Sequence, residues 1–157
     1  MSGETIVRDE LAALLENAAT EPVEVVDVRP PWMYGIAHLP GAVNWPLEEE
    51  GFVERFEAGT RYVVYGVNRK QGKRLLERLA GVENVRVYLE GIRDWVAAQQ
   101  PTEPEVRGFA CLVCSFGYYA HRGDPRGHVE PGTFFEELPD DWRCPWCGAP
   151  KSRFMRE

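Results

Sequence analysis

The residues best suited to chemistry are four cysteines, which form two Cys-x-x-Cys pairs separated by residues 115–143. A gap of two residues lets both sulfurs of one tight turn converge on one ion, and two such turns complete a tetrahedral shell of four sulfurs. Such a shell has no spare acid, base or open coordination position, so it suits outer-sphere electron transfer better than catalysis. The spacing therefore predicts a metal site with four ligands, Cys111, Cys114, Cys144 and Cys147.

Iron, zinc and disulfides are the alternatives for these cysteines. A tetrahedral thiolate shell suits zinc as well as iron. Zinc ribbons more often separate their two pairs by about 15 to 20 residues, which is a shorter gap than the one found here. Disulfides are disfavoured because neighbouring Cys-x-x-Cys residues seldom form structural disulfides and nothing in the sequence indicates an oxidising compartment. The residues alone leave iron and zinc open.

The composition of the 157-residue chain excludes several classes of protein. It has 18 Lys and Arg against 25 Asp and Glu, a net charge of -7. This balance argues against a sequence-independent nucleic-acid binder, which relies on basic residues to neutralise phosphates. The first ten residues lack a basic start followed by an apolar run, and prolines break the longest nearly uncharged stretch, residues 30–47. We therefore expect a cytoplasmic protein without nucleic-acid or membrane partners.

The chain divides into two parts with different chemistry. All four cysteines lie beyond residue 110, whereas the negative charge belongs to the first part: 18 acidic and 11 basic residues up to Val106, against seven of each from Arg107 onward. Residues 101–108 contain two prolines, two glutamates and few apolar residues, a composition typical of a short, semi-rigid spacer. We therefore predict a first domain over residues 1–100, a linker over 101–108 and a second domain over 109–157.

Helical and strand patterns alternate in the first domain. The apolar spacing predicts, in chain order, a helix with Leu11, Leu14, Leu15 and Ala18 on one face, a strand over 23–28, a helix around Phe52, Val53 and Phe56, a strand over 62–65, a helix with Leu75, Leu76 and Leu79, a strand with Val85, Val87 and Leu89, and a last helix with Ile92, Trp95 and Val96. Strands separated by helices imply an α/β fold with an open parallel sheet and helices on both faces. Ligands of such sheets bind at the carboxyl ends of the strands, which directs attention to the loop after Tyr65.

The second domain has a different pattern. It is rich in Gly, Pro and aromatic residues and shows no useful helical period. A core of about 50 residues gives little net stability, so a metal or disulfides must reinforce it. This predicts a small domain stapled through its four cysteines, in which the aromatic side chains form core rather than an electron relay.

Several short motifs in this domain belong together. They are Cys111-Leu-Val-Cys114-Ser-Phe-Gly-Tyr118, Gly123-Asp-Pro125, Pro131-Gly-Thr133, Phe135-Glu-Glu-Leu-Pro-Asp-Asp-Trp142 and Cys144-Pro-Trp-Cys147-Gly-Ala-Pro-Lys151. The segment from Phe109 to Phe154 resembles a complete rubredoxin. The resemblance implies a three-stranded sheet with two cysteine-bearing knuckles that hold one iron ion, cycling between Fe3+ and Fe2+ through the four cysteines, with zinc as a substitute. It further implies redox partner proteins, a reductase as donor and an acceptor that the sequence does not name.

Details around the cysteines refine this expectation. Val113 and Ala149 are expected to help set the surroundings of the sulfurs. Ser115 stands where the resemblance leads us to expect glycine, at a position that needs positive φ and therefore costs a non-glycine residue about 1 kcal/mol. His121 and His128 are expected to be exposed and not to be ligands, because the sulfur shell is already full.

Rubredoxins are usually strongly acidic, whereas this domain is neutral. Its docking partner can therefore carry a surface charge of different sign from that of the usual partners.

A second set of motifs lies in the first domain. It comprises Asp27-Val-Arg29, Tyr34-Gly-Ile-Ala-His38-Leu-Pro-Gly-Ala-Val-Asn44, Tyr62-Val-Val-Tyr65 and Val87-Tyr-Leu-Glu-Gly91-Ile-Arg-Asp-Trp95. From Ile6 to Pro101 the chain resembles a single-domain rhodanese. In that family a cysteine directly follows the third motif and carries sulfur as a persulfide, but here the position is Gly66. Glycine has no side chain to attack with, so we expect no catalytic residue and no ordinary sulfurtransferase turnover.

The loop after Tyr65 keeps the length that the family uses to hold an anion. Backbone amides and two cations at a helix start can bind a small sulfur anion or an acidic surface without a nucleophile. The candidate anion-binding residues are Gly66, Val67, Asn68, Arg69, Lys70 and Gln71; the alternative is an ordinary solvated turn. His38, Asp27 and Arg29 are expected to hold the fold together rather than to transfer protons.

Three functional hypotheses follow. The first is an iron-binding one-electron carrier with a mononuclear four-cysteine site, tethered to a catalytically silent rhodanese-like module for docking or anion binding; it is not an enzyme. The second is a redox enzyme of sulfur metabolism, in which the loop holds a sulfur anion or a partner's persulfide. The third is a zinc-stabilised adaptor without redox function.

Overall fold

A five-stranded parallel sheet forms the centre of the first domain. The computed structural model describes residues 4–17 and 19–157. The strands are β1 (Glu4–Ile6), β2 (Glu24–Asp27), β3 (Val43–Asn44), β4 (Tyr62–Tyr65) and β5 (Val85–Tyr88), in the order β1-β5-β4-β2-β3. The helices are α1 (Arg8–Glu16), α2 (Pro31–Ile36), α3 (Arg69–Arg78) and α4 (Gly91–Ala97). Within the described residues no helix is long and apolar enough to cross a bilayer.

The two faces of this sheet bury different helices. Val25, Val63 and Tyr65 pack in one buried cluster with Leu11 of α1 and Trp95 of α4. The alternate strand positions, among them Val26, Val64 and Val87, pack on the opposite face with Leu75 of α3. Because side chains alternate across a strand, an all-apolar strand needs cover on both sides. The open parallel sheet with helices on both faces, predicted from the sequence, is therefore confirmed.

Most predicted elements form, and the exceptions have local causes. The predicted helix around Phe52, Val53 and Phe56 is wrong: only a 3-10 turn, Val53–Arg55, forms there. Phe56 is extended, and its ring makes edge-to-face contacts with Phe52 and Tyr62, so aromatic packing rather than helical hydrogen bonding sets this segment. Leu89 lies one residue beyond the end of β5. Ala18 lies outside the described residues.

A buried ion pair ties the end of β2 to the loop that follows α2. Arg29 and Asp27 are fully buried, and Arg29 Nη2 donates to Asp27 Oδ2 at 2.6 Å and to the Ala37 carbonyl at 2.5 Å. The Tyr65 hydroxyl donates to Asp27 Oδ2 at 2.6 Å and accepts the Leu39 amide at 3.0 Å. Burial and the Asp27 carboxylate raise the pKa of Tyr65, which keeps its hydroxyl protonated. These contacts fit the structural role expected of Asp27 and Arg29.

The second domain is a small antiparallel sheet over an aromatic core. Its strands are β6 (Phe109–Cys111), β7 (Gly117–Tyr118) and β8 (Phe154–Arg156), in the order β7-β6-β8. Tyr118, Phe135 and Trp142 are buried together, and each makes an edge-to-face contact with the other two. These three side chains form core, as predicted, but the prediction is wrong for Trp146, which is 70% exposed.

The segment between the domains is held against the first domain. His38 stacks on Tyr34 with ring centroids 3.9 Å apart, and its backbone exchanges two hydrogen bonds with Glu103, of 3.0 and 2.9 Å. The Trp95 indole donates to the Pro101 carbonyl at 2.7 Å, and Val106 packs on the buried cluster of the first domain. His38 therefore has the structural role expected of it, and it holds the connecting segment as well as the sheet.

The second domain lies on α4 of the first. Phe134 belongs to the same buried cluster as Trp95. Arg93 of α4 pairs with Glu130 at 3.7 Å and with Glu137 at 3.4 Å. Gly132 has a φ of 89°, and a Cβ there would overlap the Arg93 carbonyl oxygen, so only glycine permits this approach of the two backbones.

Replacing Asp27 tests the buried ion pair. We expect Asp27→Ala to lower the free energy of unfolding by about 3 to 5 kcal/mol, because it leaves the Arg29 guanidinium buried without its counter-ion. Urea denaturation followed by circular dichroism measures the change. Asp9→Ala is the matched control, since Asp9 also pairs with an arginine, Arg8, but is almost fully exposed. Equal losses from both variants would contradict the assignment.

Candidate functional site

The structure brings the four predicted cysteine ligands together. Their sulfur atoms all lie within 4.8 Å of one another, with Cys111 Sγ 3.7 Å from Cys147 Sγ and Cys114 Sγ 3.6 Å from Cys144 Sγ. A disulfide would hold two sulfurs at about 2.05 Å. A tetrahedron with metal–sulfur bonds of about 2.3 Å has edges close to the distances found here. All four cysteines are free, so the arrangement is that of a metal site and not of disulfides.

Two equivalent knuckles place these sulfurs. In the first, residues 111–116, the Ser115 amide donates to the Cys111 carbonyl at 2.9 Å and the Cys111 amide to the Phe116 carbonyl at 2.8 Å. In the second, residues 144–149, the corresponding bonds are Gly148 to Cys144 at 2.9 Å and Cys144 to Ala149 at 2.8 Å. The repeated bonds turn each Cys-x-x-Cys unit around one point. The two turns face each other across the same ion position.

The fifth residue of each knuckle, directly after the second cysteine, has a left-handed backbone. Ser115 has a φ of 67°, and Gly148 has a φ of 76°. The positive φ predicted for Ser115 is therefore confirmed. Glycine adopts this conformation at little cost, whereas serine does not. The first knuckle carries strain that the second avoids.

Backbone amides and neighbouring sulfurs set the acidity of the thiols. Burial raises the pKa of Cys111, but the Cys114 and Val113 amides and the nearby sulfurs lower it to about 7. For Cys114 the Phe116 amide lowers the pKa, while burial and the other three sulfurs raise it to about 12. Without a cation the four thiols therefore do not all ionise near neutral pH. A bound metal cation removes this conflict by favouring all four thiolates, so the donor set fits a resident metal.

The site is buried on one side and open on the other. Cys111 and Cys144 are 2% and 3% exposed, whereas Cys114 is half-buried and Cys147 is exposed. The Ala149 amide lowers the pKa of Cys147, although burial and the nearby Cys111 and Cys144 sulfurs raise it overall. The amides of Val113 and Ala149 thus contact the sulfurs, as expected. One edge of the centre is accessible to another molecule.

The histidines of the second domain stay outside the sulfur cluster. His128 is exposed, as expected, in a loop where its φ is 57°. The expectation of exposure is only partly met for His121, which is half-buried beside the Tyr119 ring, with centroids 6.0 Å apart. The group of possible metal ligands found among the described residues consists of the cysteines alone.

The loop after β4 leads into α3 and holds the six candidate anion-binding residues. Gln71 folds back into it: Gln71 Oε1 accepts the Val67 amide at 2.6 Å and occupies the space that a Cβ at Gly66 would need. Asn68 caps α3 by accepting the Gln71 amide at 3.1 Å. The Gln71 carboxamide thus lies where a side chain at position 66 would begin. Sequence reasoning did not foresee this contact, because Gln71 lies five residues after Gly66, across the start of α3, and no local pattern links the two.

The two cations of this loop are placed differently. Arg69 pairs with Glu90, while Lys70 is exposed. The loop carbonyls accept hydrogen bonds from the first turn of α4. The Ile92 amide donates to the Gly66 carbonyl at 2.9 Å, and the Arg93 amide donates to the Val67 carbonyl at 3.1 Å. The loop therefore supports the start of α4 in addition to the start of α3.

Comparisons with known proteins match both domains. Residues 7–98 match the model of the rhodanese-like domain, and residues 108–154 match that of rubredoxin. A probable rubredoxin from Methanothermobacter thermautotrophicus is 42% identical over 59 residues, which cover 38% of this chain and 94% of that protein. Rubredoxin-2 from Chlorobaculum tepidum is 48% identical over 46 residues, 29% of this chain and 88% of that protein. A high molecular weight rubredoxin from Moorella thermoacetica is 46% identical over 46 residues, but these cover only 20% of it.

Solved structures resemble the first domain. A rhodanese-like domain from Anabaena sp., determined by NMR, has a TM-score of 0.52 and 29% identity, and the match covers 62% of this chain and 76% of that one. A protein from Bacillus halodurans has a TM-score of 0.53 and 19% identity, covering 64% and 76%, and shows the fold alone.

The two knuckles allow a paired test of backbone strain. We expect Ser115→Gly to raise the free energy of unfolding of the metal-loaded protein by about 1 kcal/mol and Gly148→Ala to lower it by a similar amount. A Cβ at Gly148 meets no atom within 4 Å, so the free-energy cost of Gly148→Ala arises from the backbone conformation and not from a steric clash. Chemical denaturation with the metal content checked beforehand measures both. Two variants that shift stability in the same direction would refute the strain.

The contact between Gly66 and Gln71 can be tested by a double-mutant cycle. We expect Gly66→Ala to destabilise the protein by about 1 to 3 kcal/mol, because the added methyl group collides with the Gln71 side chain. In the Gln71→Ala background the same substitution has room and costs much less. Thermal and urea unfolding of the four proteins give the coupling energy. Strictly additive effects would show that Gln71 does not occupy this space in solution.

Proposed function

Because the chain belongs to the rhodanese-like family through residues 7–98 and to the rubredoxins through residues 108–154, we propose that it is a one-electron carrier with an iron centre and a catalytically silent first domain. The observation that carries this proposal is the set of four free sulfurs at tetrahedral distances, held by two equivalent knuckles. When bound there, iron supplies ferric and ferrous states that differ by one electron. The site has no other reactive group within its sulfur shell.

The knuckle amides stabilise charge in this proposal. Four thiolates give the centre a net charge of about -1 in the ferric state and -2 in the ferrous state, so each electron gained must be compensated by nearby dipoles. The amides of Val113, Cys114, Phe116 and Ala149 point at the sulfurs and lower their pKa values. The same dipoles favour the reduced state.

A reducing compartment such as the cytoplasm suits this centre because thiols stay free there.

Electrons enter and leave through the open edge of the centre. Cys147 is exposed, and the large apolar side chains around it are exposed as well: Leu112, Val113 and Trp146 at 58%, 57% and 70%. Exposed apolar side chains next to a redox centre suit brief contact with a partner protein. A one-electron carrier requires two partners, a reductase that donates the electron and an acceptor that takes it up.

The first domain acts as a docking module in this proposal. Resemblance to the rhodaneses puts their sulfur-carrying cysteine at Gly66, and Gln71 occupies the adjoining space. Sulfur transfer through a persulfide needs a thiolate at that place. Position 66 offers neither a thiol nor open space. The first domain therefore serves to hold the second domain, called the metal domain from here on, through α4, and to present a surface to partners.

A second candidate function is electron delivery to a sulfur anion bound near the loop. A cleft of about 640 Å³ between the domains favours it, because Asn68 of the loop and Arg93 of α4 line this cleft together with His128 and Arg143 of the metal domain. The loop and the second domain thus border one cleft, although none of the four cysteines lines it. Arg93 in this cleft is already paired with two glutamates, which weakens its attraction for an anion.

Optical spectroscopy with metal analysis tests the main proposal. We expect the purified protein to contain about one iron per chain and to show a visible absorption that bleaches on reduction with dithionite and returns on oxidation. Cys114→Ser and Cys144→Ser should each change or abolish that absorption, whereas Ser115→Gly should preserve it. Thiosulfate should leave the reduced spectrum unchanged under anaerobic conditions.

Other outcomes decide between the alternatives. A zinc protein that gains no reducible absorption after iron reconstitution would overturn the carrier and favour the adaptor. Reoxidation of the reduced centre by thiosulfate would favour the sulfur-anion function.

A further inference from the structure

The surface around the metal site has no acidic residue in either knuckle, although the chain as a whole is acidic. The whole chain has a net charge of -7. Neither knuckle contains an acidic residue, and the exposed side chains between the cysteines are apolar, with Leu112, Val113 and Trp146 the largest. We call these three residues together with Cys147 the metal face. The acidic residues that set the net charge lie elsewhere in the chain.

Two arginines are fixed at the rim of the metal face. Arg126 Nη1 donates to the Pro145 carbonyl at 3.2 Å, and Arg143 Nη1 donates to the Gly148 carbonyl at 3.0 Å. Pro145 and Gly148 lie on either side of Trp146 and Cys147 in the second knuckle. Both arginines are exposed. Their guanidinium groups therefore remain available to a partner while the hydrogen bonds hold them beside the centre.

The net charge is distributed unevenly between the two domains, and the two arginines lie in the domain that is not acidic overall. The negative charge belongs to the first 106 residues, whereas acidic and basic residues balance from Arg107 onward. No ion pair of Arg126 or Arg143 is found among the described residues. Opposite charges on partner surfaces steer encounter and fix orientation, whereas apolar contact at the centre holds the pair together.

We propose that the metal face docks on an acidic protein surface with an apolar centre, and that Arg126 and Arg143 recognise its carboxylates. This inference deepens the proposed function and rests on it, since the electron partner is the molecule bound there. It assigns the partner a charge of the same sign as the net charge of this chain. Recognition therefore depends on the local surface and not on the overall charge.

Small oxidants of opposite charge report the local charge directly. Stopped-flow spectroscopy follows the iron-loaded, reduced full-length protein as it is oxidised by anionic hexacyanoferrate(III) or by cationic tris(phenanthroline)cobalt(III). One electron leaves the ferrous centre, which becomes ferric, and one electron reduces the oxidant; no atom is transferred. The measurements run at about 0.1 M ionic strength, where the Debye length is about 10 Å and remote charges are screened, and again at about 1 M.

Charge-removing and charge-keeping variants isolate the two arginines. We expect Arg126→Gln/Arg143→Gln to slow oxidation by hexacyanoferrate(III) by about threefold to tenfold and to accelerate oxidation by the cobalt complex, in the range by which surface charge alters encounter rates. Arg126→Lys/Arg143→Lys keeps the charge and should keep both rates. Arg61→Gln/Arg74→Gln removes the same charge from exposed positions of the first domain and should leave both rates nearly unchanged. At about 1 M salt the differences should disappear.

A binding measurement needs no redox activity and separates the two proposals. NMR titration of the zinc-loaded protein with poly-L-glutamate should shift the amides of the second knuckle, and Arg126→Gln/Arg143→Gln should abolish these shifts. Equal rates for all variants together with no shifts would overturn the acidic partner. Strong binding of phosphatidylserine vesicles without a response to polyglutamate would overturn it in favour of a membrane surface. A protein without a reducible centre whose knuckle still binds polyglutamate would refute the electron carrier and leave the acidic partner standing.

Discussion

Four sulfur atoms within 4.8 Å of one another are the constraint on which the second domain depends. As thiolates they repel one another, and as thiols they offer little to a cation, so the cluster is stable only when a metal and the surrounding amides share its charge. The knuckles meet both needs because the turn that brings two sulfurs together also aims amide groups at them. The aromatic core of Tyr118, Phe135 and Trp142 lies beneath this centre, in a domain too small to be stable on packing alone.

The sequence predicted the convergence of the four cysteines better than the packing around them. Cys-x-x-Cys spacing restricts each pair to one turn, so the ligands could be named before any fold was known. The positive φ of Ser115 was also predictable, because the knuckle geometry requires it whatever residue is present. The packing of Gly132 on Arg93 was not predictable, since the two residues belong to different domains and no local pattern links them.

The first domain shows the same division between regular pattern and local packing. Strands β2 and β4 were predicted because apolar runs buried on both faces are conspicuous in sequence, and β5 was predicted from the alternation of Val85, Val87 and Leu89. The short elements β1, β3 and α2 contain too few residues for a periodic pattern. The segment around Phe52 and Phe56 has helical spacing, but its aromatic rings gain more from packing against Tyr62 and Trp45 than from a regular helix.

The loop that follows β4 is held in place by the hydrogen bonds of α4 as well as by those of α3. The Gly66 and Val67 carbonyls accept the first amides of α4, which otherwise have no partner at a helix start. Arg93 lies in this first turn and pairs with two glutamates of the metal domain. A change in the loop would therefore shift α4 and, with it, the surface that carries the metal domain.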